Sequence, residues 1–258
     1  MWRSFAFTVF YFSNILSLAL PALAESTLNS PSFTRPAAIA DKALQQQIIR
    51  LRRPAVTAGM RCIREGKMTA LVPKQEIALT DELRATFFVY IPANYPQSDI
   101  EHLAELSLTD DQEKEVYQTR FKLTGNPGIV KLELPRTKNL TPNEPESLLE
   151  LNKLYRWRFT VICDDFDWSS NPSVGGFIKR IELKRLFYGS FINAPPIGMY
   201  PAYRNFGLWD EAVLSLLGER HRLHYDKKFA KEWLEFWQAE GLEDIAQVPI
   251  ISCCTLEK

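Results

Sequence analysis

Leu154–Asp165 reads LYRWRFTVICDD. Tyr155, Trp157, Phe159, Val161 and Cys163 fall on one face at a period of two, and Arg156, Arg158 and Thr160 fall on the other. That alternation predicts a half-buried β-strand. Its buried face carries three aromatic rings and a thiol, enough to centre the core of a sheet. Other strand patterns surround it. Met68–Val72 is short, apolar and stopped by Pro73, and Thr86–Ile91 (TFFVYI) is stopped by Pro92. Leu103–Leu108 is weaker. In Val116–Leu123, Tyr117, Thr119, Phe121 and Leu123 alternate with Gln118, Arg120 and Lys122. Ile129–Leu134 follows the Gly125-Asn126-Pro127-Gly128 turn, and Phe177–Leu183 closes the series. About seven short strands with frequent turns predict a mainly β fold, an antiparallel β-sandwich or open barrel.

The period changes at both ends. Asp41 is placed to cap a helix running to Arg53, which Pro54 ends. After an irregular stretch, Leu186–Tyr203, Asn205 is placed to cap a helix with Trp209, Ala212, Val213, Leu216 and Leu217 on one stripe. Asp226 caps a second helix carrying Phe229, Trp233, Phe236 and Trp237, closed by Gly241. We read these aromatics first as a helix pair packed on the sheet, and second as a partner-binding face.

Met1–Arg3 is a short basic start, Phe5–Leu20 is apolar, and Pro21-Ala22-Leu23-Ala24 ends in the small-x-small form. This reads as a secretory signal peptide cleaved after Ala24, with a membrane anchor as the alternative. Residues 25–40 read as a flexible leader, 41–250 as one globular domain and 251–258 as a tail. Within the domain the β part spans about 60–185 and the helical cap about 204–241. The expected location is therefore periplasmic or extracellular, with no spanning segment after cleavage. The 258 residues carry zero formal net charge, a balance that gives no support to nucleic-acid binding.

Four cysteines, Cys62, Cys163, Cys253 and Cys254, allow three disulfide pairings. A bridge between adjacent Cys253 and Cys254 would be strained. Cys62–Cys163 is favoured because both lie in or beside predicted core strands. No CxxC or Cys/His cluster suggests zinc.

The ordered series Thr69-Ala70-Leu71-Val72-Pro73, Tyr155-Arg156-Trp157 to Cys163-Asp164, Asn171-Pro172-Ser173-Val174 with Gly176 and Arg180, then Gly207-Leu208-Trp209-Asp210-Glu211-Ala212, resembles an uncharacterised family. It is the family of secreted, mainly cyanobacterial proteins catalogued as domain of unknown function 928. Trp233 and Gly241-Leu242 also fit, so the resemblance covers roughly Cys62 to Ile250. It implies export, the Cys62–Cys163 pairing and the architecture, and it brings no activity. Members often carry a glycine-rich basic segment before the first cysteine, whereas the stretch from Arg52 to Arg61 has little glycine.

Candidate chemistry is sparse. Asp165, Asp167 and Ser169 alternate as in a calcium loop, but Ser170 stands where the turn needs Gly and Gly176 where the bidentate Glu belongs. Asp164, Asp165 and Asp167 remain a looser calcium candidate against the plainer reading of a hydrogen-bonded turn. No other cofactor is expected. His221 and His224 stand three apart without an accompanying metal motif, and His102 stands alone. No GxSxG elbow or phosphate loop is present. The leading expectation is a non-enzymatic envelope protein that binds another macromolecule. The alternatives are a carbohydrate-binding module using Trp168, Tyr200 and Tyr203, with or without calcium, and a cell-wall hydrolase using a carboxylate pair. Partners expected are an envelope protein or a polysaccharide.

Overall fold

The expected central ribbon is β7, Leu154–Ile162, with β4 (Leu103–Thr109) and β8 (Ser173–Arg180) antiparallel on either side. The computed structural model describes residues 42–51, 66–92, 103–123, 126–135, 147–182, 199–223, 226–251 and 255–256. One six-stranded sheet has the order β10-β5-β4-β7-β8-β2, adding β2 (Ile77–Thr80), β5 (Glu115–Lys122) and β10 (Thr255–Leu256). A four-stranded sheet has the order β1-β3-β6-β9, from Thr69–Ala70, Thr86–Ile91, Gly128–Glu133 and Ile250–Ile251. The sheets are mixed and do not close into a barrel.

Alternation explains how the sheets meet. Ala104, Leu106 and Leu108 stand opposite Val161, Phe159 and Trp157, and all six are buried. Phe87 of β3 stacks on Trp157 with ring centroids 4.7 Å apart, so aromatic rings join the two sheets. Gly176 stands opposite Trp157. A Cβ there would lie 2.8 Å from Val72 Cγ1 and 3.3 Å from Trp157 Nε1, so glycine leaves the room the indole occupies.

The outer face of the six-stranded sheet is divided. Toward β2 it is apolar, and helix α1 (Lys42–Leu51) covers it by setting Leu44 and Ile48 against Ile77, Leu79, Leu154 and Phe177. Toward β5 it is polar and carries Glu105, Ser107, Gln118, Arg120, Arg156 and Arg158.

Three helices follow: α2 (Met199–Phe206), α3 (Trp209–Leu223) and α4 (Lys227–Ala239). Asp226 caps α4 as expected, its carboxylate accepting from Phe229 N at 2.8 Å. Phe229, Trp233, Phe236 and Trp237 are buried. Phe236 stacks on Trp209 at 5.5 Å and meets Tyr200 edge-on at 6.0 Å, so these aromatics belong to the core.

Several expectations change. The mainly β fold with C-terminal helices holds, but the expected antiparallel pairing becomes mixed, because β2 pairs parallel with β8 and β9 pairs parallel with β6. The helix pair becomes three helices among the described residues. Asn205 does not cap the Trp209 helix but lies inside α2. Gly207, at φ 75°, ends α2 with Leu208 N donating to Tyr203 O, and α3 starts two residues later. The expected tail supplies strand residues at Ile251 and Thr255–Leu256, because the open edges of β6 and β5 accept them. The leader, Asp41, Arg53, residues 136–146, His102 and His224 lie outside the described residues, as does the His221 side chain. Among the described residues no helix is long and apolar enough to cross a membrane.

Candidate functional site

The β7–β8 connection, residues 163–171, turns the chain at the end of the central ribbon. Asn171, 3% exposed, closes its base. The Asn171 Oδ1 accepts from the backbone N–H of Cys163 at 2.8 Å and of Asp164 at 2.9 Å, and its Nδ2 donates to the Asp164 carbonyl at 2.9 Å. Asp164 Oδ1 then accepts from Phe166 N at 2.8 Å and Asp167 N at 3.1 Å. Asp167 Oδ1 accepts from Ser169 N at 3.1 Å and caps the single 3₁₀ turn Trp168–Ser170. Two of the three calcium candidates are thus turn caps, the role that short acidic side chains take in such loops. Asp165 is exposed beside them. Among the described residues no group of three or more His, Cys, Asp or Glu side chains is arranged to hold a metal ion.

This bonded loop displays aromatic surface. Phe166 is fully exposed, at 101%, and Trp168 is 45% exposed. The Trp168 ring rests on Arg120, whose guanidinium carbon lies 5.8 Å from the ring centre. Arg120 in turn donates Nε–H to Glu105 at 3.2 Å across the β4–β5 rung. It therefore joins the loop to the polar outer face of the sheet. One rung further along, Arg158 stands between Ser107 and Gly175. It is partly buried and makes no hydrogen bond or ion pair with another described residue. A Cβ on Gly175 would fall 2.1 Å from the Trp157 carbonyl oxygen, so this position has no side chain beside Arg158.

The other two candidate aromatics have different surroundings. Tyr200 is buried against Phe236, with its hydroxyl on Glu232 at 2.9 Å. Burial, reinforced by that carboxylate, pushes the phenol well above its ordinary range. Tyr203 packs at the edge of both apolar cores. Neither shares a described contact with Trp168. Reasoning from sequence passed over Phe166, Arg120 and Arg158. The alternation of Arg156 and Arg158 was legible, but Arg120 joins them only through a pairing between distant strands.

A second polar centre lies at the start of α3. Trp209 Nε1 donates to Leu71 O at 2.8 Å. Asp210 Oδ2 accepts from Thr86 N at 3.3 Å, and Glu211 Oε1 accepts from Thr80 Oγ1 at 2.8 Å and Asp81 N at 3.0 Å. Three consecutive side chains thus fasten the helix start to β1, β2 and β3. Asp210 is 1% exposed and Glu211 8%. Asp210 Oδ1 and Glu211 Oε2 are buried with no donor among the described residues, and a proton held between the two carboxyls would satisfy both. Burial, then the Glu211 charge, raise Asp210 well above the ordinary carboxylate range.

The Cys163 sulfur is bonded and is not a free thiol. Cys62, Cys253 and Cys254 lie outside the described residues.

No curated protein matches the chain. A family model described as Domain of Unknown Function (DUF928) matches residues 53–250, a span that holds both sheets except β10 and the last residue of β9, the three described C-terminal helices and the 163–171 loop. With well over half of its length matched, the chain belongs to the DUF928 family.

Proposed function

We propose that this chain is an exported, non-enzymatic envelope protein that acts as a macromolecular interaction module, with the 163–171 loop and the adjoining polar sheet face as its contact surface. One observation carries the reading: a loop held by its own hydrogen bonds keeps Phe166 fully exposed and Trp168 half-exposed. A soluble fold gains nothing from that exposure. Covering these two rings in an interface would return roughly 2–4 kcal/mol of apolar transfer free energy. The loop is already ordered, so little of that gain would be lost to fixing it. Export is supported by the N-terminal pattern through Ala24 and by the cysteine usage. Within this reading Cys62 is the partner of Cys163. The hydrolase alternative gains nothing from the Asp210 and Glu211 pair, which faces backbone groups in the interior.

The test is co-purification from crosslinked envelopes using the mature protein and a Phe166→Ala/Trp168→Ala double variant. The intact protein is expected to bring down a defined component that the variant loses, at unchanged thermal stability. Equal recovery by both would remove the loop from the contact surface.

A carbohydrate-binding alternative keeps one favourable observation, the Trp168 ring held open at the edge of a sheet face.

A further inference from the structure

Strand β2 is buried on both faces, and a short helix lies over its outer side. Ala78 joins the main core and Thr80 bonds Glu211, whereas Ile77 and Leu79 share the outer face with Phe177 of β8 and Leu154 of β7. A sheet face left to water carries polar residues at such positions. These four side chains and Leu208 are instead all buried, in an apolar cluster distinct from the main core. The backbone beneath them is already spent in ladders, because β8 lies between β7 and β2, and β7 between β4 and β8. Whatever covers this face must satisfy its own backbone groups, which a helix does.

We infer that α1 is a displaceable strap, and that the sheet face beneath it is a preformed groove for an amphipathic helix with α1 as its resident occupant. Helix α1 has 10 residues. Isolated helices shorter than about 12–15 residues are marginal in water, so α1 is helical because it is docked. Among its described side chains the hold is apolar and narrow. Leu44 and Ile48, one turn apart, enter the cluster, while Lys42, Gln46 and Gln47 face solvent and Ile49 is 70% exposed. An element held by so few buried side chains opens as a local unit. The cluster it completes is distinct from the main core, so its departure leaves the packing of Phe87 on Trp157 between the sheets intact. Helix α1 also lies before residue 53, where the family match begins, whereas the face it covers lies within the match. The matched domain thus carries the groove, and the chain ahead of it supplies the cover. Departure of α1 uncovers a contiguous patch of Ile77, Leu79, Leu154 and Phe177, suited to a helix with aliphatic anchors four residues apart.

Hydrogen–deuterium exchange on the unaltered mature protein reads the opening. Amides of residues 42–51 should exchange about 100-fold faster than those of β4 and β7, through an opening that leaves the sheet protected. The groove is read with a fluorescent peptide of residues 41–53, titrated into the unaltered protein and into a Leu44→Ser/Ile48→Ser variant whose strap cannot seat. The peptide should bind the variant at least about tenfold more tightly, because in the unaltered chain it competes with a tethered α1. A peptide carrying the same two serines should bind neither protein. The strap is overturned if residues 42–51 exchange as slowly as β7, if the peptide binds the variant no better than the unaltered protein, or if the serine peptide binds equally well. Exchange on the unaltered protein decides the matter even where the variant does not fold. The strap does not depend on the 163–171 loop. A Phe166→Ala/Trp168→Ala variant should show the same exchange in α1, so failure of one surface leaves the other standing.

Discussion

Asp210→Asn is the most informative single substitution for the internal architecture. In the folded chain the Asp210 carboxyl is raised well above its ordinary value of 3.8, first by burial and then by Glu211. The native state therefore binds more protons than the unfolded state once pH exceeds the unfolded value. Stability contributed by the shared proton is fully present below that pH and is lost as pH rises through the folded value. Tyr203 faces the same corner, its phenol raised by burial and by Glu211, Glu82 and Asp81, so the surrounding field is acidic. An asparagine fixes the protonated arrangement: its amide donates to Glu211 Oε2 and its carbonyl accepts from Thr86 N. Asp210→Asn should therefore be at least as stable as the natural chain at neutral pH, with less loss as pH rises. Asp210→Ala instead leaves the Thr86 N–H and Glu211 Oε2 buried without partners. At about 1–3 kcal/mol for each orphaned group, partly offset by removing a buried acid, the net cost is about 3 kcal/mol. For a domain of this size that lowers the melting temperature by roughly 6–12 °C. Urea denaturation of the three proteins between pH 4 and pH 9 reads both effects. The shared proton is refuted if Asp210→Asn is destabilised as much as Asp210→Ala, or if the natural chain shows the same pH dependence as Asp210→Asn.

Other expectations are more local. Asn171→Ala removes three hydrogen bonds at the base of the 163–171 loop, so amide exchange there should accelerate and global stability fall by about 2–4 kcal/mol. Faster exchange at distant strands with an unchanged loop would contradict this. Gly175→Ala puts a Cβ 2.1 Å from the Trp157 carbonyl, a backbone atom with no rotamer to escape through. We expect a loss of about 1–3 kcal/mol in chemical denaturation. Mass spectrometry of the unreduced mature protein should find peptides containing Cys62 and Cys163 linked. In the chain-entropy model that bridge is worth about 4–5 kcal/mol.

The central ribbon was readable because a sheet buried on one face writes period-two alternation into its sequence, as Tyr155 to Cys163 does. The same rule hid β2. Ile77–Thr80 is buried throughout, so it shows no alternation, and its partner β8 lies about a hundred residues away in a parallel pairing that local spacing does not reveal. Helix α2 was hidden by Pro201, which reads as a breaker but sits in the first turn, where its missing N–H costs no helical hydrogen bond. The site was half-legible. Asp164, Asp167 and Asn171 announced a structured turn, while the alternation of Asp165, Asp167 and Ser169 imitated a calcium loop; the Asp164 and Asp167 carboxylates cap backbone N–H groups instead. Phe166 resembled a core residue in a chain rich in core aromatics, and its exposure depends on where the turn points. Asp210 and Glu211 read as ordinary acids at a helix start, because burial against Thr80 and Thr86 comes from strands more than a hundred residues earlier.

The docking surface is tested most directly by placing a photo-crosslinking benzoylphenylalanine at Phe166, and separately at Leu234 on α4, in the full chain and irradiating intact cells. Position 166 should capture one discrete envelope component and position 234 only background. Capture at 234 with none at 166 would move the contact surface to the helices and contradict the assignment of residues 163–171.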